Sequence, residues 1–588
     1  MIQQEQNSVE GLLSKGSHVE RRLKYLNVLS GEFIASDLRL ALKSPYVESA
    51  YFDRNVSLIN SVGDYETQDW RIPSTGASAA WGNLSVTGKN VTVAIIDTGI
   101  DYLHPDLGGC LGTTCKVVDG VNLVSYANPD PMDDNGHGTH CAGIVAAKGT
   151  LLGVAPDARL LAVKVFDSSG TGSVSNIIAG IDWAVGAGAD VLSMSVGGLP
   201  PNITNDGADD PMAQAAGEAV EYGVVPVVAA ANAGPGTGTV ASPGDNPDVI
   251  TVGASDDRGT IEQEDDTITA FSSRGPSAFG RLDPDVSAPG FRITSTYVHS
   301  VFPYLTFDGT SMATPHVSGV AALLKEGMPN LSARDFKSRL MHTASKIDAK
   351  TFEAGAGEVN IYNALTETVD VSINGTDRLE TELIPGTPLT VNVSLINHGN
   401  DSTYVWFEAE NLSNIENDVV MSSSYFTLPG NVSLPAGGDV SAPFTLIAPL
   451  GQAPFVYGGI LVVHHSNRTL RVPIVATVPL IGAGLINGTV NDAYVNERTI
   501  GDYVYYLLYN PNATSLSLAL TWGGVNDIEL YLASPGGGIL KTGNTTSLTQ
   551  KTLVLQNLTE ARYWAIVHLN SGLLLPNPYT LNVSYVGV

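Results

Sequence analysis

Between residues 75 and 365, five short apolar runs alternate with helical patterns, and that alternation constrains the chain more than any other feature. VTVAIID (91–97), RLLAVKVF (159–166), DVLSMSVG (190–197), VVPVVAAAN (224–232) and VITVGA (249–254) read as buried strands. SVSNIIAGIDWAVGAG (173–188), PMAQAAGEAVEYG (211–223) and SARDFKSRLMHTA (332–344) read as helices. Continuous apolar strands separated by helices predict an α/β fold, a parallel sheet covered on both faces. Ligands of such sheets sit beyond the carboxyl ends of the strands. Asp97 is placed there, before Thr98-Gly99.

Beyond about residue 370, runs such as LTVNVSLINHG and SLSLALTW alternate apolar with polar residues, and Gly, Pro and Asn punctuate them. That texture predicts all-β sandwich or jelly-roll modules. A linker near PLIGAGLING (479–488) is expected to divide them. Cys110 and Cys115 in GGCLGTTCK favour a small disulfide loop over a metal pair, because no second ligand pair follows. Cys141 is left over and is expected to be a small buried residue.

In FDGTSMATPHVSGVAALL (307–324), Ser311 follows Gly309-Thr310 and precedes apolar residues at helical spacing. A helix start presents unpaired N–H groups to whatever lies in front of it. Ser311 is therefore either a cap or a nucleophile, and a serine needs a base to attack. His137 lies between glycines in DDNGHGTHCAGIVAA (133–147) and supplies the residue type required. Asp97 completes a set in which a carboxylate holds the imidazole and the imidazole takes the serine proton.

These three segments, in the order Asp, His, Ser, resemble the subtilisin-like serine proteases (subtilases, peptidase family S8). DTGID, HGTHCAG and GTSMATPHVSG are intact, and the likeness spans roughly residues 70–365. It implies a serine endopeptidase with Asp97, His137 and Ser311 as catalytic residues and peptides or proteins as substrates. It also places the side-chain oxyanion donor at Asn232 in VVAAANAGPG, and substrate-binding backbone at Ser195, Val196 and Gly197. Ala231 and Ala241 stand where the family usually has Gly. With Ala230 they are expected to wall a narrow, uncharged pocket that prefers apolar side chains at P1, the residue before the scissile bond.

The resemblance further implies structural calcium, with Asp106 in HPDL and Asp285 in LDPD as candidate ligands and no organic cofactor. AAKGTLLGVAP (146–156) is shorter than the loop that builds the tight calcium site of subtilisins. Other oxygen-rich candidates are NPDPMDDN (128–135) and SDDRGTIEQEDD (255–266), which also suit solvated charge. Residues 1–62 resemble part of a propeptide, reading as helix, hairpin, helix and strand (PYVESAYFDR, 45–54), with the first strand of that fold expected upstream. Such a segment acts as intramolecular chaperone and inhibitor. The expected organisation is propeptide 1–62, catalytic domain 70–368, β-sandwich 369–483 and jelly roll 484–588. The jelly roll contains Asp527, a weak calcium candidate.

A net charge of −29 argues against nucleic acid and anionic membrane as partners. No apolar run reaches the ~18 residues of a membrane span. No signal peptide is read after Met1, so one is expected to be missing from this chain. Asn-X-Ser/Thr occurs sixteen times, eleven of them beyond residue 370, against roughly five or six expected by chance. That excess predicts a glycosylated, extracellular protein, and the chain is expected to be a monomer. The tail is expected to stabilise the protease and carry no chemistry, with His464-His465 isolated in VVHHS. An intact triad argues against a surface adhesin that retains a protease domain as scaffold.

Overall fold

The computed structural model describes residues 2–586 except 15, 59–60, 63–70, 126, 199–209, 301, 417, 491, 496–497, 524–525, 537, 548 and 572–576. Its centre is an eight-stranded sheet. In chain order the strands are β1 (Thr92–Asp97), β2 (Val117–Asn122), β3 (Arg159–Lys164), β4 (Val191–Met194), β5 (Val225–Ala229), β6 (Ile250–Asp256), β7 (Thr267–Ile268) and β8 (Val286–Pro289). They lie in the order β7-β6-β5-β4-β1-β3-β2, with β8 also paired to β6. All pairs are parallel except β6 with β7. The five predicted runs all become strands of this sheet. β1 lies between β3 and β4, so the connections leave it on opposite sides and open a crevice at its carboxyl end.

The apolar runs are continuous because both faces are covered. Val93 and Ile95 of β1 join one core with Val145, Val317 and Phe336, while Ala94 and Ile96 join the other with Ile177, Ile181 and Met212. α1 (His137–Ala146), α4 (Thr310–Gly327) and α5 (Ala333–His342) cover the first face. α2 (Val174–Gly186) and α3 (Pro211–Glu218) cover the second.

The N-terminal segment forms a helix (Ile2–Glu10), a hairpin (His18–Arg22 with Leu29–Glu32) and a second helix (Ala35–Ala41). The strand expected over 45–54 is absent; the chain becomes a strand only at Asn55–Ser57, antiparallel to Thr171–Ser173. The reason is local: Val56 is the residue that reaches the second core, whereas Tyr51 and Phe52 stay exposed. The hairpin sits on α2, where Asp182 accepts from the N–H groups of Lys24, Tyr25 and Leu26.

Residues 369–477 form a three-stranded and a seven-stranded sheet, and residues 480–586 form two five-stranded sheets and a small hairpin. The linker expected at 479–488 is largely strand instead. Leu480–Ile481 enters one five-stranded sheet and Gly484–Val490 the other, and the buried residues of both modules make one continuous apolar cluster. Among the described residues no helix is long and apolar enough to cross a membrane.

Candidate active site

Asp97 ends β1 and is buried, its Oδ1 accepting from the Thr98 N–H at 2.7 Å. His137 opens α1, and its Nδ1 lies 2.8 and 2.9 Å from the two oxygens of Asp97. The glycines on either side of His137 are required by close approach. Gly136 has φ 110°, and a Cβ there would lie 1.9 Å from the Tyr297 ring. A Cβ on Gly138 would lie 2.2 Å from the Gly99 carbonyl oxygen. Without those side chains, the start of α1 rests directly on the turn that follows Asp97.

Asp133 fixes that helix start from the other side. Its Oδ1 accepts from the N–H groups of Asn135 and Gly136, and its Oδ2 from the N–H and hydroxyl of Thr139. Ser311 is the second residue of α4, where no intrahelical acceptor exists for its N–H. Its Oγ lies 3.5 Å from the Ser195 carbonyl oxygen. Nε2 of His137 is buried and makes no hydrogen bond. The serine–imidazole bond is thus open in the resting site, as is common before substrate arrives.

Pro315 explains a further contact that the sequence reading missed. Proline has no N–H, so the helix cannot bond the Ser311 carbonyl from position 315. That carbonyl instead accepts the Ser195 hydroxyl at 2.7 Å, with the Cys141 thiol at 3.5 Å. A proline five residues into a helix is the sequence signal for such a freed acceptor. Cys141 is buried as expected, and burial raises its thiol pKa, so it stays protonated.

Asn232 is oriented by a donor that cannot be mistaken. The Thr310 N–H and hydroxyl both point at its Oδ1, at 2.8 and 2.9 Å. The amide nitrogen therefore faces the other way, and a Cβ on Gly309 would lie 3.1 Å from it. Ala231, just before it, holds φ 87°, the left-handed conformation that glycine adopts without strain.

Gly197, Ala231 and Ala241 do come together: a Cβ on Gly197 would lie 3.4 Å from that of Ala231 and 3.7 Å from that of Ala241. Ala230 and Val196 do not face that space. Ala230 is fully buried, its N–H bonded to Val252 and its carbonyl to the Ala241 N–H. The Val196 side chain lies in the second core, leaving only its backbone available.

Electrostatics set His137 apart. Burial by itself opposes the imidazolium, but the Asp97 carboxylate outweighs it and holds the His137 pKa well above its ordinary value. Among the described residues, the one convergent group of three His, Cys, Asp or Glu side chains is Asp97, His137 and Cys141. Nδ1 of His137 is already committed to Asp97 there.

The expected calcium ligands do not fit a cation. Asp106 accepts from the N–H groups of Thr150 and Leu151 and the hydroxyl of Tyr304, so donors surround it. Asp285 lies 2.8 Å from both Lys337 Nζ and Arg378 Nη1, which already supply its positive charge. Asp527 is paired with Lys551. Within NPDPMDDN, Asp133 caps α1 and Asp134 pairs with Lys164. His464 and His465 point to opposite faces of one strand, toward Glu408 and Glu367 respectively, and cannot share a metal. Cys110 and Cys115 are disulfide-bonded.

Other buried carboxyls make an acid-favouring set. In SDDRGTIEQEDD, Asp266 is buried beside Glu358; burial and the Glu358 charge raise Asp266, and burial raises Glu358. Asp245 is buried with no hydrogen-bond partner on either oxygen, and burial pushes it up to about 8. A carboxyl raised above its unfolded value holds more protons folded than unfolded, so its stabilisation is lost as pH rises toward the folded value. Melting temperature should therefore fall as pH rises from about 4 to about 8, the interval over which Asp245 is shifted. Asp245→Asn should flatten that fall in a calorimetric pH series, and an unchanged slope would contradict the assignment.

The Subtilase family profile matches residues 88–362. Serine protease AprX of Bacillus subtilis is 36% identical over 377 residues, covering 60% of this chain and 82% of the relative. The chain belongs to the subtilase family. Subtilisin DY of Bacillus licheniformis is 40% identical over 282 residues, covering 47% of the chain and 91% of the relative. Subtilisin Savinase of Lederbergia lenta is 37% identical over 294 residues, covering 50% and 96%. This subtilase is a serine endopeptidase, and peptides are its substrates.

Proposed function

We propose that Ser311 is the acyl-transfer nucleophile, His137 its general base and Asp97 the group that orients and charges the imidazole. The observation that carries this reading is the bond between buried Asp97 and His137 Nδ1, which leaves only Nε2 to take a proton. Ser311 Oγ attacks the scissile carbonyl carbon as its proton passes to His137 Nε2. The resulting oxyanion is held by the Asn232 amide and the Ser311 N–H. Collapse returns the proton to the leaving amine and leaves an acyl-enzyme on Ser311. Water then repeats the sequence, freeing the acid.

The enzyme is read as an exported, glycosylated monomer of broad specificity, made as a self-processing zymogen. Three observations support the glycosylation, export and processing. All eleven sequon asparagines beyond residue 370 are exposed. The Cys110–Cys115 disulfide suits an oxidising compartment. Residues 55–57 run as a strand against Thr171–Ser173, the Leu58 N–H bonds the Gly170 carbonyl, and a Cβ on Gly198 would lie 3.5 Å from Val56. An extended segment bound beside Ser195–Gly198 resembles a chain lying in the substrate cleft. The mature N terminus is accordingly expected beyond Leu58, to be read by mass spectrometry of the processed enzyme.

The uncharged alanine-walled pocket should favour Leu, Phe or Met at P1 over Lys, Arg, Asp and Glu. A peptide library with sequenced cleavage products checks this, and a preference for Arg at P1 would overturn it.

A further inference from the structure

The C-terminal jelly roll reaches the loop that follows Asn232. Ala230 and Ala241 close the base of that loop through a hydrogen bond of 3.1 Å, and its tip is Thr237-Gly238. The Thr237 N–H donates to Asp502 Oδ1 at 2.8 Å, and the Tyr503 N–H donates to the Thr237 carbonyl at 3.0 Å. Asp502 is fully buried and is itself held: its carbonyl accepts from the Leu569 N–H at 3.3 Å and lies 3.2 Å from His568 Nδ1. The His568 ring stacks on Tyr503 at 3.8 Å. A Cβ on Gly238 would lie 2.8 Å from Tyr503 Cβ, so backbone and module meet with no space between. The contact continues through Phe279 of the protease, which packs against Tyr505 and Trp564.

The inner edge of the same loop is tied to the protease. The Gly234 N–H bonds the Phe271 carbonyl at 2.9 Å, and the Thr239 N–H bonds the Arg274 carbonyl at 3.0 Å. The loop is thus gripped from the protease on one side and from the module on the other. It carries the oxyanion amide at one end and a pocket wall, Ala241, at the other.

We infer that Asp502 is a positioning residue for catalysis: the C-terminal module fixes the geometry of the oxyanion loop through Asp502 and Tyr503. This rests on the assignment of Asn232 as an oxyanion donor. An oxyanion donor works only when placed in advance, and a misplacement of ~1 Å can cost up to about 10²-fold in rate. Releasing the tip leaves the Thr237 N–H without its acceptor and leaves the loop held from the protease side alone.

The test uses the full-length mature enzyme, with active sites counted by fluorophosphonate titration. Asp502→Ala should lower kcat per titrated site about 10-fold or more, with KM changed much less, because the oxyanion forms only in the transition state. Asp502→Asn, which keeps an acceptor oxygen, should restore most of the loss. Gly238→Ala approaches the same contact from the protease side and should reproduce the defect if Asp502→Ala fails to fold. A lower titratable fraction with unchanged kcat per site, in whichever of the two variants folds, would reduce Asp502 to a purely structural residue and overturn the inference. Asn232→Ala is measured alongside. If it lowers kcat while Asp502→Ala and Gly238→Ala do not, the inference fails and the oxyanion assignment stands. If Asn232→Ala itself leaves kcat unchanged, the underlying assignment fails.

Discussion

Ser311→Ala should reduce kcat by about 10⁴–10⁶-fold, the range that loss of a triad member produces in subtilisin-type enzymes. The remaining rate would come from the oxyanion donors and substrate binding, which do not need the hydroxyl. The variant should still fold, because Ser311 Oγ makes only a long contact of 3.5 Å to the Ser195 carbonyl. The stronger bond in that place, from the Ser195 hydroxyl to the Ser311 carbonyl, survives the change. The N-terminal segment should also remain attached, since its release is read as the enzyme's own reaction. Gel electrophoresis of the expressed variant checks this. Normal processing without the Ser311 hydroxyl would remove the nucleophile assignment.

Asp97→Asn should lower kcat by about 10⁴-fold, because an amide facing Nδ1 no longer dictates which ring nitrogen carries the proton. It should also move the pH profile. In the parent enzyme kcat/KM should rise with pH through a midpoint above 6.5, since Asp97 holds the imidazolium well above that ordinary value. Only neutral imidazole accepts the serine proton, so activity appears as His137 loses its own. In Asp97→Asn, burial is left to act alone, and it disfavours the charged ring, so the residual activity should rise at lower pH. Steady-state kinetics across pH 4–10 measures both effects. A limb unmoved by the substitution would mean that another group controls it.

The two trends in pH oppose one another. Activity needs His137 deprotonated, whereas Asp245, Asp266 and Glu358 favour the fold while they hold protons. The carboxylate beside His137 also stabilises the fold while the ring is charged, a contribution lost as pH rises through the raised histidine value.

Much of this was readable along the chain, for physical reasons. β1, β3, β4, β5 and β6 showed as apolar runs because each is covered on both faces. β2 was missed because its sequence, VVDGVN, is apolar on neither face throughout; it is an edge strand, buried at its two ends and partly exposed between them. β8 is short and ends in Pro289, and propensity disfavours it. Asp97, His137, Ser311 and Asn232 stand out along the chain because their tight surroundings demand Gly and small residues at fixed offsets. Asp133 was read only as one acid of a charged run. Its role depends on Thr139 and Gly136 folding back onto it, which periodicity does not reveal.

The expected calcium ligands meet a related limit. A carboxylate in a loop looks the same in sequence whether its partner is a cation or a ring of N–H donors, and Asp106 and Asp285 found partners far along the chain. The tail shows this limit most clearly. Its β-texture was legible, but the bond between Thr237 and Asp502 joins residues 265 apart in sequence, beyond any local pattern.

The central claim, that Ser311 is an activated nucleophile, is tested most directly by a fluorophosphonate probe on the processed enzyme, followed by peptide mapping. The account predicts one covalent adduct per molecule, on Ser311, forming faster as pH rises through the His137 limb and very slowly in Asp97→Asn. An adduct on another residue, or equal labelling of Ser311→Ala, would contradict it.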